Sequence, residues 1–423
     1  MLQIQVIKEN PEAIIERLAI KNFKAKELVE KVISLDAQRR ETQKKLDDNL
    51  SEANSIAKEI GVLFKSGKQT EANALKEKTA LLKTASKEIS ELLQLTEKDL
   101  NETLVLLPNL PHSSIPKGKG ADDNLLVSEE GDIPKLGENS IAHWDLALKY
   151  GIIDFETGVK ITGAGFPVYK GKGAKLQRAL INFFLDNAIE NGYVECQPPF
   201  VVNADSAYGT GQLPDKEGQM YFIGADNLYL IPTAEVPITN IYRDMILKAV
   251  DLPVKNTAYS SCFRREAGSY GKDVRGLNRL HQFDKVEIVQ VVLPERSYEV
   301  LEEMKDYVAG LLRKLELPFR ILKLCGGDMS FASAWTYDLE VYSAAQQKWL
   351  EVSSVSNFET FQSNRLKLRF KENDGKPKLA HTLNGSALAL PRIVAALLEN
   401  NQTAEGIKIP KALIPYTGFE MIN

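Results

Sequence analysis

Residues 257–292 read TAYSSCFRREAGSYGKDVRGLNRLHQFDKVEIVQVV, a sequence of two β-rich runs on either side of a loop. We predict that TAYSSCFRRE and QFDKVEIVQVV are strands, because both are rich in β-branched and aromatic residues. Side chains that alternate along a strand share a face, which here groups Cys262, Arg264 and Glu266 in the first strand and Phe283, Lys285 and Glu287 in the second. The loop between them supplies small and basic residues, namely Gly268, Gly271, Lys272, Arg275, Gly276 and Arg279.

These residue types suit a nucleotide. Arginine binds phosphate oxygens in a bidentate fork, an aromatic ring stacks on a base, and a carboxylate binds amino groups. The alternative is a cross-strand ion pair under a solvated basic loop.

The regions on either side of this segment indicate an α+β fold. NLYLIP, TYDLEVYS and KWLEVSS are predicted to be strands, and ALINFFLDNAIENG is predicted to be an amphipathic helix that ends at Gly192. Strands follow strands without regular βα alternation, so we expect a mainly antiparallel sheet flanked by helices. GKGAK at 171–175 does not fit a phosphate-loop motif, and we predict a solvated loop there.

The N-terminal quarter is predicted to be a long antiparallel pair of helices. Its first helix has a heptad seam at Leu28, Val32, Leu35, Arg39, Thr42, Leu46, Asn49, Ala53, Ile56, Ile60 and Leu63. After a turn at 65–68, the second helix has a seam at Leu75, Lys78, Leu82, Ala85, Ile89, Leu92 and Thr96. Helices joined by so few residues run antiparallel, and each would span about 50–60 Å. Such an arm can grip an RNA or form a dimer, and the seam by itself favours neither.

Composition limits the function and the location. The net charge of −4 indicates no large basic surface, so any RNA contact is local or depends on shape. Cys196, Cys262 and Cys325 are far apart, as in a reducing compartment, and predict neither a disulfide framework nor a zinc site. With no signal peptide and no apolar run of membrane-spanning length, we expect a cytoplasmic protein.

The segment HTLNGSALALPR at 381–392 adds a second candidate site for an anion. We predict that Gly385 and Ser386 end a strand and that Pro391 lies in the first turn of a helix. Arg392 then opposes the helix macrodipole, and a bound anion would relieve this. The alternative is an exposed arginine that tolerates its position. The four histidines have no metal-site or triad spacing and are expected to be structural.

Taken together, the motifs identify a resemblance to a known family. GYVECQPPF with Pro199, FRRE with RLHQFDKVE, and NGSALALPR occur in the order and spacing of the three motifs of class II aminoacyl-tRNA synthetases. TGQLP, IPTAEVP, RREAGSYGKDVRGL, GDMSFASAWTYDLEV, EVSSVSNF, the LPNLPH linker and the helical arm resemble the bacterial-type seryl-tRNA synthetases. The resemblance implies a tRNA-binding arm at 1–105, a linker at 106–140 and a class II catalytic domain at 141–423.

The resemblance also implies roles for individual residues. Arg264 and Arg392 match catalytic arginines. Residues that match the serine pocket are Thr233, Ala234, Glu235, Glu287 and Ser386. Residues that match the ATP site are Arg264, Arg265, Glu266, Arg279, Phe283, Glu351, Val352, Ser353, Ser354 and Arg392. Glu351 and Ser354 match the Mg²⁺ ligands that accompany ATP. Motif 3 departs from the usual pattern at Ala387 and Pro391, where glycine is more common.

The activity implied is ATP-dependent formation of seryl-adenylate, followed by transfer of serine to tRNA(Ser), with tRNA(Sec) as a further substrate. The implied partners are ATP, Mg²⁺, L-serine, the tRNA and a second subunit that contacts motif 1 in the catalytic domain; no structural zinc and no membrane are expected. Two alternatives are a coiled-coil scaffold without catalysis and a ligase that loads an amino acid onto a carrier protein. The scaffold has no need for Arg264, Glu266, Glu351 and Arg392 together, and the carrier ligase has no need for the arm.

Overall fold

The computed structural model describes residues 1–137, 140–215, 217–266, 275–373 and 375–423. The chain divides into two compact units: residues 1–19 with 23–108, and residues 20–22 with 109–423. Among the described residues, no helix is long and apolar enough to cross a membrane.

The first unit is helical. Its helices are α1 (Ile4–Glu9), α2 (Pro11–Ala19), α3 (Lys26–Lys65) and α4 (Gln69–Leu104). At 1.5 Å per residue, α3 and α4 are about 60 and 54 Å long. Gly67 has a φ of 77° in the turn that joins them, where glycine avoids the strain of a side chain. The structure confirms the predicted antiparallel pair.

Burial confirms the predicted seam of α3 and corrects two positions in that of α4. Val32, Thr42 and Ile56 on α3 are buried. On α4, however, Lys78 and Leu92 are exposed. The other predicted positions hold: Leu75, Leu82, Ala85 and Ile89 are half-buried and Thr96 is buried. Leu93 turns inward in place of its neighbour Leu92, which is equally apolar, and Lys78 pairs with Glu52 at the surface.

The second unit combines strands and helices. Its helices are α5 (His143–Lys149), α6 (Phe155–Ile161), α7 (Gly171–Glu190), α8 (Ala204–Thr210), α9 (Glu235–Asn240), α10 (Ser297–Lys314), α11 (Thr360–Leu366), α12 (Leu390–Asn400) and α13 (Ile414–Thr417). Its strands are β1 (Leu125–Glu130), β2 (Ile153–Asp154), β3 (Val168–Tyr169), β4 (Val194–Glu195), β5 (Val201–Val202), β6 (Phe222–Ile223), β7 (Leu228–Leu230), β8 (Ile246–Lys248), β9 (Val254–Phe263), β10 (Gln282–Val292), β11 (Phe319–Lys323), β12 (Trp335–Ser343), β13 (Lys348–Asn357), β14 (Arg369–Lys371), β15 (Lys378–Leu379), β16 (His381–Ala389), β17 (Ile407–Lys408) and β18 (Met421–Ile422).

A large sheet organises this unit. In the described part of the chain its order is β1-β11-β12-β13-β16-β10-β9-β4, and all neighbours are antiparallel except β4 and β9. This confirms the predicted α+β class. Helices α7, α10 and α12 pack on the sheet through buried side chains such as Phe184, Leu312 and Leu398.

Several predicted boundaries shift. The first strand of the opening segment was predicted to reach Glu266, but β9 ends at Phe263. Strand β16 continues past Gly385 and Ser386 to Ala389 because it stays paired with β10. The segment at 171–175 is the first turn of α7 and not a loop, and Gly173 there leaves no room for a side chain against Ile152. The predicted linker contains β1, which pairs with β11.

Candidate active site

Arg264 lies directly beyond the end of β9, beside the ring of Phe283. Its backbone N–H donates to the carbonyl of His281 over 2.9 Å, which extends the pairing of β9 with β10. The guanidinium lies 5.3 Å from the centroid of the Phe283 ring, and Nε donates to the carbonyl of Pro232 at 3.4 Å. Both side chains are partly exposed. An arginine held beside an aromatic face can bind phosphate while the ring stacks on a base.

Glu266 and Arg279 join the two sides of the loop in an ion pair. Glu266 has a φ of 49°, so the chain leaves the strand conformation there and the predicted alternation does not extend to it. The neighbouring Arg265 is exposed. Part of the predicted glycine- and arginine-rich loop, Gly268, Gly271 and Lys272, lies outside the described residues.

A buried acidic pocket begins at the residue after Pro232, the residue that Arg264 contacts. Thr233, which follows the Pro232 that Arg264 contacts, donates from Oγ1 to Oε2 of Glu287 over 3.0 Å. The Thr233 hydroxyl oxygen also accepts from the backbone N–H of Glu235 at 3.1 Å. Lys285 forms an ion pair with Glu287, and the two side chains are 7% and 2% exposed. The structure thus brings together Thr233, Glu235 and Glu287.

Glu235 has an unusual protonation equilibrium. Burial and, after it, the negative charge of Glu287 raise the pKa of its carboxyl group to about 7. Hydrogen bonds from Gln362 and Asn384 and the charge of Lys285 act in the opposite direction. A buried acid that titrates near neutrality is suited to receive a cation such as an ammonium group.

Gln362 on α11 is a pocket residue that the sequence did not reveal. Its Nε2 donates to Oε1 of Glu235 over 2.6 Å and to the carbonyl of Thr210 over 3.1 Å. Its Oε1 accepts from the hydroxyl of Thr382 at 2.7 Å. Gln362 therefore orients the Glu235 carboxylate. A glutamine in a short helix gives no sequence signal of such a role.

Ala234 and Ser386 complete the predicted pocket set. Ala234 is fully buried and packs against Ile238 and Ala258, so it contributes shape and no polar group. Ser386 on β16 lies opposite Glu287 on β10, and its carbonyl accepts from the hydroxyl of Ser353. These contacts fix the strand that passes beside the acidic pair.

Arg392 lies in the first turn of α12, as predicted. Its Nε donates to the carbonyl of Asn278 over 3.1 Å, and Nη1 donates to the carbonyl of Glu351 over 2.7 Å. Nη1 also lies 3.7 Å from Oε2 of Glu351. The guanidinium therefore links the loop after Arg275 to β13, and about one-third of the side chain remains exposed.

Hard oxygen donors lie on β12 and β13. Glu351 and Ser354 are on β13 on either side of the buried Val352 and Ser353, and Asp338 on β12 faces Ser354 in the sheet register. Oδ1 of Asp338 is buried with no hydrogen-bond partner. Burial and the charge of Glu351 raise the pKa of Asp338 well above its usual range.

These oxygens fit Mg²⁺ as it binds with ATP, because this ion takes a few protein carboxylates and fills its other positions with phosphate oxygens and water. In the part of the chain that is described, no group of three or more histidines, cysteines or acids forms a metal site by itself.

Two family models match the chain. The tRNA synthetase class II core domain (G, H, P, S and T) matches residues 222–401, and the Seryl-tRNA synthetase N-terminal domain matches residues 1–111. A serine–tRNA ligase from Salinibacter ruber is 50% identical over the whole chain and 99% of its own length. One from Chlorobium luteolum is 46% identical over the whole chain and 99% of its own length.

Solved structures agree with these relatives. The seryl-tRNA synthetase of Pyrococcus horikoshii, crystallised with ATP, has a TM-score of 0.93 and 34% identity, covering 100% of this chain and 99% of the other. The cytoplasmic serine–tRNA ligase of Naegleria fowleri, crystallised with AMP, has a TM-score of 0.87 and 27% identity, with the same coverage.

Proposed function

We propose, from the premise that the chain belongs to the seryl-tRNA synthetase family, that it activates L-serine with ATP and transfers the serine to the 3′ end of tRNA(Ser). The observation that carries this proposal is the position of Pro232 and Thr233. Pro232 contacts the cationic Arg264, and Thr233 contacts the buried anionic Glu287. An amino acid carries opposite charges on adjacent groups, so this site can hold its carboxylate and its ammonium together.

Serine fits the polar character of the pocket. Glu287 and Glu235 offer carboxylate oxygens to the ammonium group, and Thr233 offers a hydroxyl within the same pocket. A buried site that hydrogen-bonds the substrate hydroxyl leaves polar groups unpaired when alanine binds instead, and this discriminates strongly. Ala234 and its buried neighbours would limit the space for the extra methyl group of threonine.

The nucleotide would lie on the other side of Arg264. The Phe283 ring offers a face to the adenine, Glu266 an acceptor for its amino group, and Arg279 and Arg392 charges for the phosphates. In the first step, the serine carboxylate attacks the α-phosphorus and pyrophosphate leaves. In the second step, a ribose hydroxyl of the tRNA 3′ end attacks the carbonyl carbon of seryl-adenylate and AMP leaves. Positioning and cationic stabilisation by Arg264 and Arg392 supply the acceleration.

Glu351 and Ser354 would hold Mg²⁺, with the unpartnered oxygen of Asp338 behind them. Bound Mg²⁺ would neutralise part of the phosphate charge and orient the nucleotide. Val352 and Ser353 contribute the backbone between these ligands.

The remaining parts of the proposal concern the partners and the location. The arm formed by α3 and α4 would bind the tRNA, and with its mixed charge it would recognise the shape of the RNA more than a base sequence. A homodimer would form through the catalytic domain, with Pro199 in motif 1 at the interface. The free thiols of the three cysteines suit the cytoplasm. tRNA(Sec) is included as a second acceptor.

Charging of purified tRNA tests the function directly. The full chain, incubated with ATP, Mg²⁺ and labelled serine, is expected to load the label onto tRNA(Ser), whereas a tRNA for another amino acid serves as the negative control. Equal charging of both tRNAs, or of neither, would overturn the proposal. The same assay with a carrier protein in place of the tRNA tests the alternative, a ligase that loads an amino acid onto a carrier protein. The match of residues 1–111 to the Seryl-tRNA synthetase N-terminal domain disfavours this alternative.

A further inference from the structure

His143 forms the centre of a buried polar network outside the predicted site. Its side chain and that of Glu399 on α12 are both 0% exposed, and its Nδ1 lies 2.7 Å from Oε1 of Glu399. Its Nε2 accepts from the backbone N–H of Leu277 over 2.8 Å. Because that amide can only donate, the imidazole carries its proton on Nδ1 and donates it to Glu399.

Glu399 is held as a carboxylate by several donors. The backbone N–H of His143 donates to it over 3.0 Å, Gln346 donates over 2.9 Å, and the hydroxyl of Ser343 donates to its other oxygen. Burial would raise the pKa of Glu399, but the hydrogen bonds from His143 and Ser343 outweigh it and lower the pKa. A buried carboxylate with this many partners holds the imidazole in one orientation.

The same network holds residues 276–278, which lie in the loop between β9 and β10, before β10 begins. Gln346 accepts from the side-chain amide of Asn278 over 2.8 Å, next to the Leu277 amide that His143 holds. Gly276 has a φ of 67°, and a Cβ atom there would lie 2.3 Å from Nε2 of His143. Only glycine therefore permits this close approach.

The residues after His143 also contact this segment. The Arg275 guanidinium lies 4.6 Å from the centroid of the Trp144 ring and 3.7 Å from the carboxylate of Asp145. The start of α5 thus contacts each of residues 275, 276 and 277 in turn.

The held segment leads directly to the proposed phosphate-binding arginines. Arg392 donates to the carbonyl of Asn278, and Arg279 follows Asn278 in the chain. Arg392 and Glu399 lie seven residues apart on α12, two turns along one face. The helix therefore holds the segment at two points, through Arg392 directly and through Glu399 by way of His143 and Gln346.

We propose that His143 is a positioning residue for ATP: held by Glu399, it fixes the backbone of residues 276–278 and thereby aligns Arg279 and Arg392 with the triphosphate. This inference rests on the proposed function, since it takes ATP as the ligand. His143 does not touch the nucleotide; it acts through the Leu277 amide.

Two substitutions separate its two hydrogen bonds. H143N keeps a donor where Nδ1 reaches Glu399 and loses the acceptor for Leu277, whereas H143Q keeps an acceptor for Leu277 and loses the donor to Glu399. Calorimetric titration of the full chain with Mg·ATP is expected to give a dissociation constant raised about tenfold for H143N, the scale of one lost hydrogen bond to a buried amide. H143Q is expected to stay within about twofold of the unmodified chain while its Tm falls further than that of H143N.

This crossed pattern distinguishes positioning from stability alone. His381, half-buried and bonded through Nδ1 to Ser297 at 2.8 Å, supplies the matched control, and H381N should leave the ATP dissociation constant within about twofold. Unchanged ATP affinity in H143N, or equal losses in H143N and H143Q, overturns the inference. If H143N does not fold, Gln346→Met is tested instead, because Gln346 lies in a partly exposed turn and the substitution removes its hydrogen bond with Asn278. Unchanged ATP affinity in this variant also overturns the inference.

Failure of the proposed function would be seen in the unmodified chain, through its pyrophosphate exchange and its binding of Mg·ATP. If the unmodified chain binds Mg·ATP but shows no serine-dependent pyrophosphate exchange, the serine assignment fails while the affinity comparison still judges the role of His143. If the unmodified chain does not bind Mg·ATP, both fail.

Discussion

The hydroxyl of Thr233 donates to Oε2 of Glu287 over 3.0 Å, and both side chains are buried. The bond joins the segment before α9 to the middle of the large sheet. Lys285 forms an ion pair with the same Oε2 atom, so Thr233 and Lys285 together orient the carboxylate of Glu287. An ammonium group entering the pocket meets an acid whose position is already fixed, so little ordering is required on binding.

Thr233→Val should therefore weaken the binding of serine more than the binding of ATP. The variant keeps the shape of the side chain and removes the hydroxyl, and we expect the KM for serine to rise about tenfold, with the KM for ATP within about twofold. Pyrophosphate exchange at varied serine and varied ATP measures both. Thr257→Val is the matched control, because the Thr257 hydroxyl donates to the backbone carbonyl of Glu287, over 3.0 Å, and not to its carboxylate. An equal rise in serine KM for the two variants would contradict the role of Thr233.

Arg264→Ala should strongly slow adenylate formation without unfolding the protein. Its guanidinium is half-buried at an open edge, so its loss leaves no buried charge behind, whereas the transition state loses a cation at the α-phosphate. We expect the exchange rate to fall about 10²–10³-fold with little change in Tm. Arg320→Ala is a suitable control, since Arg320 also stacks on an aromatic ring, Trp349, at 4.9 Å. Comparable exchange rates for R264A and R320A would exclude the assigned role.

Glu235 should make stability depend on pH in the absence of serine. Its folded pKa of about 7 exceeds the ordinary 4.5, so the folded state binds the proton more tightly than the unfolded state. The stabilisation is fully present below 4.5 and is lost as the pH rises through 7, by about 3 kcal/mol in total at 1.4 kcal/mol per unit. E235Q cannot titrate. Denaturant unfolding between pH 5 and 8 should show a smaller decline for E235Q, and parallel profiles for the two proteins would refute the assignment.

The arm can be shortened without disturbing its pairing. Asn49 on α3 donates to the carbonyl of Leu82 on α4 at 3.5 Å, so these residues face each other. Replacing residues 50–81 with the turn at 65–69 should keep the base of the arm intact. We expect serine-dependent exchange to stay within about twofold while charging of tRNA(Ser) falls about a hundredfold, equivalent to about 3 kcal/mol of binding. Undiminished charging of tRNA(Ser) would show that the arm is not needed for tRNA recognition.

Much of the fold follows from local patterns. The strands around Arg264 and Phe283, the antiparallel helices and the first turn of α12 were predicted because each depends on residues close in sequence. The errors came where the pattern was ambiguous or tertiary pairing took over. Leu92 and Leu93 are equally apolar, so the seam of α4 was predicted at Leu92 although Leu93 is the buried residue. Strand β16 runs on to Ala389 because β10 continues to pair with it.

The candidate site was predicted mainly from motifs, and what the sequence missed has a common cause. Gln362 reaches Glu235 from 127 residues away, and Asp338 faces Ser354 only because β12 and β13 pair in that register. The His143 network joins residues from four distant segments. Periodicity and spacing carry no information about contacts between distant segments, so polar residues of ordinary type gave no signal there.

The central claim is that this site activates serine. It is tested most directly by exchange of labelled pyrophosphate into ATP with the full chain, supplied with Mg²⁺ and one amino acid at a time. We predict rapid exchange with serine, and a kcat/KM lower by a factor of about 10⁴ with alanine, because a pocket that binds the hydroxyl is left with unpaired buried groups. Absence of exchange with serine, or equal exchange with alanine, would contradict the account.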